Sequence, residues 1–265
     1  MENAMMKNLE ELEILGYTVI PNVLSKEELT LIKQSVTEVY QTQERETQKF
    51  FDISATPESN ITRMPFAYNA CFYNLLNNKK IIPYIKEMLG DYFILQTQNA
   101  IIVNPNKTHS QNKWHRDFPY MNFVSNPPIA INAFFCITDF NFNTGATQLL
   151  PHSHNVNYQP SDEYFSKHGI SVNAEAGSVF LFNTMIFHRT GLNISDQDRI
   201  GINHIFSKYI LKQQIDIPAL LNFEVPEDEF LSMLLGFDSR VPTSVLDYRQ
   251  VRKKGFDKKN ANEQY

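Results

Sequence analysis

The apolar positions at the start of the chain recur with the period of a helix. Met5, Leu9 and Leu12 fall on one helical face, and Gly16 is placed to end that helix. Residues 17–20 then form a short apolar run that ends at a proline and predicts a strand. The chain is therefore expected to begin with a helix followed directly by a short strand.

A capping pattern predicts a second helix. Ser25 is followed three positions later by Glu28, which is the capping-box pattern of a helix N-terminus. The polar residues 41–62 are predicted to form a loop near a pocket or a mobile loop, and residues 81–89 a further helix. The first 90 residues are thus expected to be mainly helical.

From residue 92 onward the apolar positions follow the period of strands. Turn residues separate the strand-like segments. These segments are residues 92–103, 129–138, 147–150, 178–182, 185–188 and 199–210. Helices first and strands afterwards predict an α+β, mainly β fold, in which a sandwich or barrel of strands carries the N-terminal helices outside.

Chain length and net charge indicate the number of domains and the kind of partner. The 265 residues can bury a sizeable core, and nothing in them demands more than one domain. We expect a helical part over about residues 1–90, a β core over about 92–210 and a C-terminal extension over about 211–265, whose basic stretch 249–259 is expected to be solvated. The 24 Lys and Arg against 29 Asp and Glu give a net charge of −5, which argues against a nucleic-acid partner.

The apolar runs and the cysteines indicate the setting. No stretch is apolar enough for a signal peptide or for a membrane span, so no membrane partner is expected. Cys71 and Cys136 are too few for a disulfide framework and lack the spacing of a metal site. These features predict a cytoplasmic protein, either monomeric or homodimeric.

A His-x-Asp motif carries the strongest functional signal. On a strand, His115 and Asp117 would point to the same face and could bind one ion. A distant third histidine, His188, would complete the two-His-one-carboxylate ligand set that binds Fe(II) and leaves coordination positions open. The sequence therefore predicts a non-haem iron site.

Arg199 follows His188 and begins a predicted strand. Its guanidinium can hold a carboxylate bidentately inside a pocket. On that strand, residues 199, 201, 203 and 205 share one face. A surface arginine at a strand end is the alternative.

With these motifs in place, the chain resembles the phytanoyl-CoA dioxygenase family of Fe(II)- and 2-oxoglutarate-dependent oxygenases, from about residue 16 to residue 209. The matching segments read GYTVIPNVLSKEEL, WHRDFP, DFNFNTGATQLLPHSH and GSVFLFNTMIFHRTGLNISDQDRIGINHIF. The family usually has glycine within Pro-Gly-Ser-His, where this chain has His152. The resemblance implies a double-stranded β-helix (jelly roll) with the N-terminal helices packed on the major sheet.

The resemblance also implies roles for individual residues. Arg199 would bind the distal carboxylate of 2-oxoglutarate, and Thr190 would donate its hydroxyl to the same group. Gln98 could bind the other end of 2-oxoglutarate or the substrate, with a polar residue on a half-exposed strand as the rival interpretation, and Asn132 is a similar candidate. The carboxylate at Asp117 favours oxygenation, because halogenating relatives have a small residue there.

Three functions remain open at this point. The favoured one is a dioxygenase that uses Fe(II), 2-oxoglutarate and O2, with ascorbate as a supporting reductant, to hydroxylate, desaturate or cyclise a small-molecule substrate. A second is a cupin-like metalloenzyme without 2-oxoglutarate, in which His152 or His154 binds the metal; a loop or supporting role for both histidines is preferred. The third is a jelly-roll binding protein that keeps the site without catalysis.

Overall fold

A computed structural model describes residues 2–121 and 123–262, with side chains described for residues 3–121 and 123–253. The α-helices are α1 (Glu2–Leu15), α2 (Lys26–Thr47), α3 (Ala70–Tyr73), α4 (Ile82–Leu89), α5 (Asp162–His168), α6 (Ile217–Leu220), α7 (Glu229–Leu234) and α8 (Val245–Asn262). The strands are β1 (Tyr17–Ile20), β2 (Ile61–Arg63), β3 (Ile94–Val103), β4 (Ala130–Cys136), β5 (Thr147–Leu149), β6 (Ile170–Ser171), β7 (Val179–Asn183), β8 (His188–Thr190) and β9 (Arg199–Ser207). None of the described helices is both long and apolar enough to span a bilayer.

The strands form two sheets. A major sheet has the order β1-β7-β4-β9-β3-β2, and a minor sheet has the order β6-β5-β8. Their neighbouring strands pair antiparallel throughout. The fold is therefore the predicted α+β, mainly β double-stranded β-helix.

The outer face of the major sheet carries the helices. Ile102 of β3 and Phe135 of β4 belong to one buried cluster with Leu12 of α1, Val36 of α2 and Ile85 of α4. Alternation along each strand explains this, because every second residue of β3, β4 and β9 points to the helical layer and most of these residues are apolar. The prediction that the N-terminal helices pack on the major sheet is confirmed.

The inner face of the major sheet packs against the minor sheet. Ile101 and Phe134 of the major sheet share a buried cluster with Leu149 and Val172 on the side of the minor sheet. Gly201 of β9 is required here, since a Cβ atom on it would lie 2.1 Å from a ring carbon of Phe134. Apolar side chains thus fill one end of the space between the sheets, and a polar cleft lies beside them.

Several predicted elements lie where the sequence indicated. The first helix ends before Gly16, whose φ of +86° suits glycine. Both hydrogen bonds of the capping box between Ser25 and Glu28 are present at the start of α2. The helix predicted over residues 81–89 and the strand over 92–103 appear as α4 and β3.

Two predictions were wrong in their local detail. The polar residues 41–47 continue α2 instead of forming a loop, because Gln, Glu and Arg are good helix formers on an exposed face. Residues 185–187 form a turn, so that β8 starts only at His188. The basic stretch 249–259, which was expected to be solvated, lies within α8; its side chains are exposed as far as residue 253, and those beyond lie outside the described side chains.

Candidate metal and cosubstrate site

The His-x-Asp motif and His188 meet at one point of the fold. The ligand atoms of His115, Asp117 and His188 all lie within 4.8 Å of one another, and His188 Nε2 is 3.5 Å from Asp117 Oδ1. The three side chains could therefore hold a single metal ion.

Backbone pairing brings the motif to His188. The amide of His115 donates to the carbonyl of His188 and the amide of His188 donates to that of His115, both at 2.9 Å, and Asp117 donates its amide to the Thr184 carbonyl at 3.1 Å. The prediction that His115 and Asp117 end a regular strand was wrong, because this pairing is an isolated bridge outside the named strands. Both side chains nevertheless line the same cleft.

Backbone carbonyls fix the orientation of both imidazoles. Nδ1 of His115 lies 2.8 Å from the Lys113 carbonyl, and Nδ1 of His188 lies 3.1 Å from the Ile186 carbonyl. A carbonyl oxygen can only accept, so in each ring Nδ1 carries the proton and donates it. The two Nε2 atoms are therefore the ring atoms that face a metal, as is usual when the second ring nitrogen of a ligating histidine has a backbone partner.

The protonation of the cluster suits a divalent cation. Burial and the nearby His188 lower the pKa of His115 to about 4, so that its imidazole is neutral at neutral pH. Burial alone would raise the pKa of Asp117, but the charge and hydrogen bond of His188 outweigh it and lower that pKa. The same contact raises the pKa of His188, and a metal ion would displace the proton that His188 Nε2 shares with Asp117. A carboxylate and a neutral imidazole are the forms in which these side chains bind metals.

Asn132 of β4 supports the carboxylate. Its Nδ2 donates to Asp117 Oδ2 at 3.1 Å, and its Oδ1 is buried without a partner among the described residues. Asn132 thus holds Oδ2 of Asp117 and lines the same cleft.

Arg199 lies at the first position of β9 and is buried, with 1% of its surface exposed. One guanidinium nitrogen donates to the Gly145 carbonyl at 3.2 Å, and the group stacks on Phe140 at 4.5 Å from its centroid. Nε and Nη1 have no partner, and no carboxylate of the described residues lies within ion-pair distance. Burial lowers the pKa of Arg199 to about 10, which still leaves it charged at neutral pH.

Thr190 lies on the same side of the cleft. It is the last residue of β8, two positions after His188, and it lines the cleft together with Thr147 and Arg199. Its hydroxyl makes no hydrogen bond to any described residue. An anion that reached Arg199 would therefore find a second donor in Thr190.

The structure does not bring Gln98 to this cleft. It lies on the outer face of β3, where its Oε1 accepts from the Phe66 amide at 2.9 Å and its Nε2 donates to the Phe72 carbonyl at 3.0 Å. Its Nε2 also lies 2.6 Å from Nε2 of His204. Strand alternation explains the discrepancy: Gln98 has the opposite parity to Ile101 and Asn99, which face the cleft side, so its polarity serves the interface with the helices.

His152 and His154 lie away from the cluster, against the end of α1. Nδ1 of His152 is 2.8 Å from the Ile14 carbonyl, and Nε2 of His154 is 3.0 Å from the Glu13 carbonyl. His154 also packs so closely on Gly16 that a Cβ atom there would lie 2.4 Å from its ring. The two histidines satisfy carbonyls at the C-terminal end of the helix, which agrees with the preferred loop role.

Two further buried polar residues were not singled out from the sequence. Asn203 is 6% exposed and lines the cleft beside Arg199, and its side-chain Oδ1 has no hydrogen-bond partner among the described residues. His109 is also buried, and its Nε2 lacks a partner. The signal for Asn203 was available, since it shares the face of Arg199 on the same strand; nothing in the sequence marked His109.

Solved structures with the same fold support this architecture. The carbocyclase SnoK from nogalamycin biosynthesis, described as non-heme and alpha ketoglutarate dependent, superposes with a TM-score of 0.61 at 17% identity, over 77% of this chain and 83% of that chain. The epimerase SnoN, solved in complex with Fe3+, alpha ketoglutarate and nogalamycin RO, gives a TM-score of 0.59 at 15% identity, over 79% of this chain and 85% of that chain. At these identities the likeness shows the fold.

Sequence relatives extend the comparison. The uncharacterized protein Rv1501 of Mycobacterium tuberculosis is 30% identical over 250 residues, which cover 91% of this chain and 90% of that protein. The dioxygenase olcK of Penicillium canescens is 27% identical over 141 residues, covering 50% of this chain and 45% of that protein. A family model described as phytanoyl-CoA dioxygenase (PhyH) matches residues 13–201, a span that contains the cluster, Thr190 and Arg199. The chain therefore belongs to the phytanoyl-CoA dioxygenase family of iron- and 2-oxoglutarate-dependent dioxygenases.

Proposed function

We propose that this protein oxidises an unactivated C–H bond of a small molecule, by hydroxylation or by desaturation or cyclisation, with release of succinate and CO2. In this proposal His115, Asp117 and His188 hold Fe(II), while Arg199 and Thr190 bind the distal carboxylate of 2-oxoglutarate. Iron and 2-oxoglutarate supply the oxidising chemistry when bound; the residues of the chain bind, orient and exclude water.

The observation that carries the proposal is the unpaired charge of Arg199. Burying a guanidinium without a counter-charge costs several kcal/mol by general estimates, and proteins normally avoid it. Here two of its nitrogens face no acceptor, while a threonine hydroxyl and a potential metal cluster line the same cleft. A dianion with a carboxylate at one end and a chelating group at the other fits that arrangement.

Each protein group would have a defined task. His115 and His188 offer Nε2 lone pairs because their Nδ1 protons are held by backbone carbonyls. Asn132 holds one oxygen of Asp117, which leaves the other directed toward His188. We leave Gln98 out of the proposed cosubstrate site, because its amide is engaged on the opposite face of the sheet.

The cupin-like alternative finds no support in these contacts. It needs His152 or His154 as a metal ligand, yet each directs a ring nitrogen at a carbonyl of α1. The non-catalytic alternative would be favoured by a missing ligand, whereas a full two-His-one-carboxylate set is present.

We further propose that residues 1–265 work as one domain in the cytoplasm. Residues from both ends of the chain support the first point, since Leu12, Ile217 and Leu234 belong to the same buried cluster. The two free, buried cysteines, Cys71 and Cys136, are compatible with a reducing compartment.

The decisive experiment uses Fe(II) and 2-oxoglutarate without oxygen. Addition of both to the protein should produce the visible charge-transfer band of the iron chelate, and admission of O2 with a panel of candidate small molecules should release succinate. Arg199→Lys should weaken the titration of the band, because a point charge cannot reproduce the fork of a guanidinium. Absence of the band in the wild-type protein would reject the proposal.

A further inference from the structure

A row of amide side chains crosses the cleft face of the major sheet. Asn99 of β3 pairs directly with Asn203 of β9, and Asn132 of β4 lies one step diagonally from Asn203. Directly paired residues of antiparallel strands share a face, so these three amides border one another beside the metal cluster. They are 5%, 6% and 1% exposed, respectively.

Two oxygens of this row have no hydrogen-bond partner. Asn132 Oδ1 and Asn203 Oδ1 are both buried and unpaired, and both residues line the cleft of His115, Asp117 and His188. The orientation of the Asn132 amide is fixed, because Asp117 can only accept and must face its Nδ2. Asn203 presents a whole unpaired amide, with a donor and an acceptor in either orientation.

2-Oxoglutarate cannot satisfy these oxygens. Its two carboxylates and its ketone accept hydrogen bonds and donate none at neutral pH. Arg199 and Thr190 already offer donors of the kind it needs. The acceptors of Asn132 and Asn203 therefore require a ligand that carries hydrogen-bond donors.

The row also continues outward to the edge of the sheet. Asn99 pairs on its other side with Arg63 of the edge strand β2, and Arg63 forms a bidentate, partly exposed ion pair with Glu58. The Oδ1 of Asn99 accepts from Thr97 at 2.9 Å, which leaves its Nδ2 available. A polar path thus leads from the edge of the sheet to the cluster.

We propose that Asn203 and Asn132 bind a hydroxyl or amino group of the substrate next to the C–H bond that is oxidised, and that the polar face of the substrate lies along Asn99. This inference rests on the proposed function and narrows its substrate class to small molecules with a hydrogen-bond donor near the reacting carbon. A bare alkyl chain would leave both oxygens buried and unpaired. Asn203 is then a specificity-determining residue.

Asn193 provides a matched control. It is fully buried like Asn203, but its Nδ2 donates to the carbonyls of Val103 and Gln197, and its Oδ1 accepts from the amide and hydroxyl of Ser195. Replacing a hydrogen-bonded structural asparagine with an apolar residue of similar size should lower the stability of the ligand-free protein. Replacing an asparagine whose partner is a ligand should not. We therefore compare Asn203→Leu with Asn193→Leu in the full-length protein.

Thermal unfolding without ligands is the first measurement. The Tm of Asn203→Leu should lie within ~2 °C of wild type or above it, and that of Asn193→Leu should fall by ~5 °C or more. A fall in Asn203→Leu as large as in Asn193→Leu would mean a structural role and would overturn the inference.

Cosubstrate affinity is the second measurement, with Fe(II) and 2-oxoglutarate as the probes. In anaerobic titrations of the charge-transfer band, Asn203→Leu should bind 2-oxoglutarate within about threefold of wild type. A weakening of tenfold or more would assign Asn203 to 2-oxoglutarate instead of the substrate. If the band is missing in wild type, the proposed function fails; if it is present and Asn203→Leu behaves like Asn193→Leu, only this inference fails.

Turnover is the third measurement. Succinate release is compared for pairs of small molecules that differ by one hydroxyl or amino group. For any pair that is turned over, the compound with the donor should be preferred, and Asn203→Leu should lower its kcat/KM at least tenfold, since a site built to bind a hydroxyl loses most when that bond is missing. Equal turnover of both members, unchanged by Asn203→Leu, would contradict the inference, and the first two measurements decide the case if no pair reacts.

Discussion

The two faces of the major sheet bury polar side chains in opposite ways. On the outer face, Gln98 and His204 are fully buried. The side-chain amide of Gln98 contacts the Phe66 amide and the Phe72 carbonyl in the helical layer, and it also contacts the ring of His204. On the inner face, Arg199 and Asn203 are buried to nearly the same degree but leave nitrogen and oxygen atoms unpaired. Burial alone therefore does not distinguish a structural polar residue from a functional one; on the inner face the unpaired atoms lie together around one cleft.

The energetic difference between the faces follows from this. A buried polar group without a partner costs roughly 1–3 kcal/mol, and a charged one more. The outer face avoids part of that cost, although Nδ1 of His204 and Oγ1 of Thr62 are unpaired. On the inner face, the unpaired groups destabilise the ligand-free protein, and a bound ligand would remove this cost by supplying their partners. This is the usual trade-off between stability and function.

The largest effect is expected at the metal cluster. Asp117→Ala should abolish Fe(II)-dependent succinate release and weaken Fe(II) binding by well over the roughly 10–100-fold that loss of a supporting contact costs. Fe(II) titration and activity assays measure this, with circular dichroism to check the fold. Near-wild-type activity would remove Asp117 from the ligand set.

The second largest effect is expected at Arg199, on the inner face of the sheet. Arg199→Met should raise the apparent KM for 2-oxoglutarate at least tenfold, because removing one partner of a buried charge pair costs roughly 2–5 kcal/mol of binding free energy. The same change removes an unpaired charge, so the free energy of unfolding of the ligand-free protein should stay equal or rise. An unchanged KM would assign Arg199 a purely structural role.

Gln98 should show the reverse pattern. Gln98→Leu leaves the Phe66 amide, the Phe72 carbonyl and His204 without their partner, at roughly 1–3 kcal/mol for each group left unpaired. Denaturant unfolding should therefore show a clear loss of stability, while 2-oxoglutarate affinity stays within about threefold. A selective loss of that affinity in a stable variant would return Gln98 to the cosubstrate site.

The smallest effect is expected at the second pair of histidines. His154→Ala removes one bond to the Glu13 carbonyl and should cost about 1 kcal/mol of stability, with Fe(II) affinity within a few-fold of wild type. His188→Ala serves as the contrast and should lose the charge-transfer band. Loss of the band in His154→Ala with its survival in His188→Ala would instead favour the cupin-like site.

Local signals in the sequence were sufficient for elements whose stability is local. The capping box at Ser25 and the glycine stop at Gly16 depend on neighbouring residues alone, and both lie where predicted. The end of α2 and the start of β8 were misplaced, since tertiary packing decides where a polar helix stops and where a short strand pairs.

The sequence by itself determined the family, the fold class and the residue types of the candidate metal cluster, because motif spacing and strand alternation are properties of the chain. Only the tertiary structure decided which polar residues face the cleft. Gln98 and Asn99 are neighbours in sequence but lie on opposite faces of β3, and the register with β9 sets Gln98 beside His204 and Asn99 beside Asn203. Alternation separates the two residues, but only the pairing between distant strands decides which face meets the helices and which face meets the cleft, and so which set of hydrogen bonds is completed.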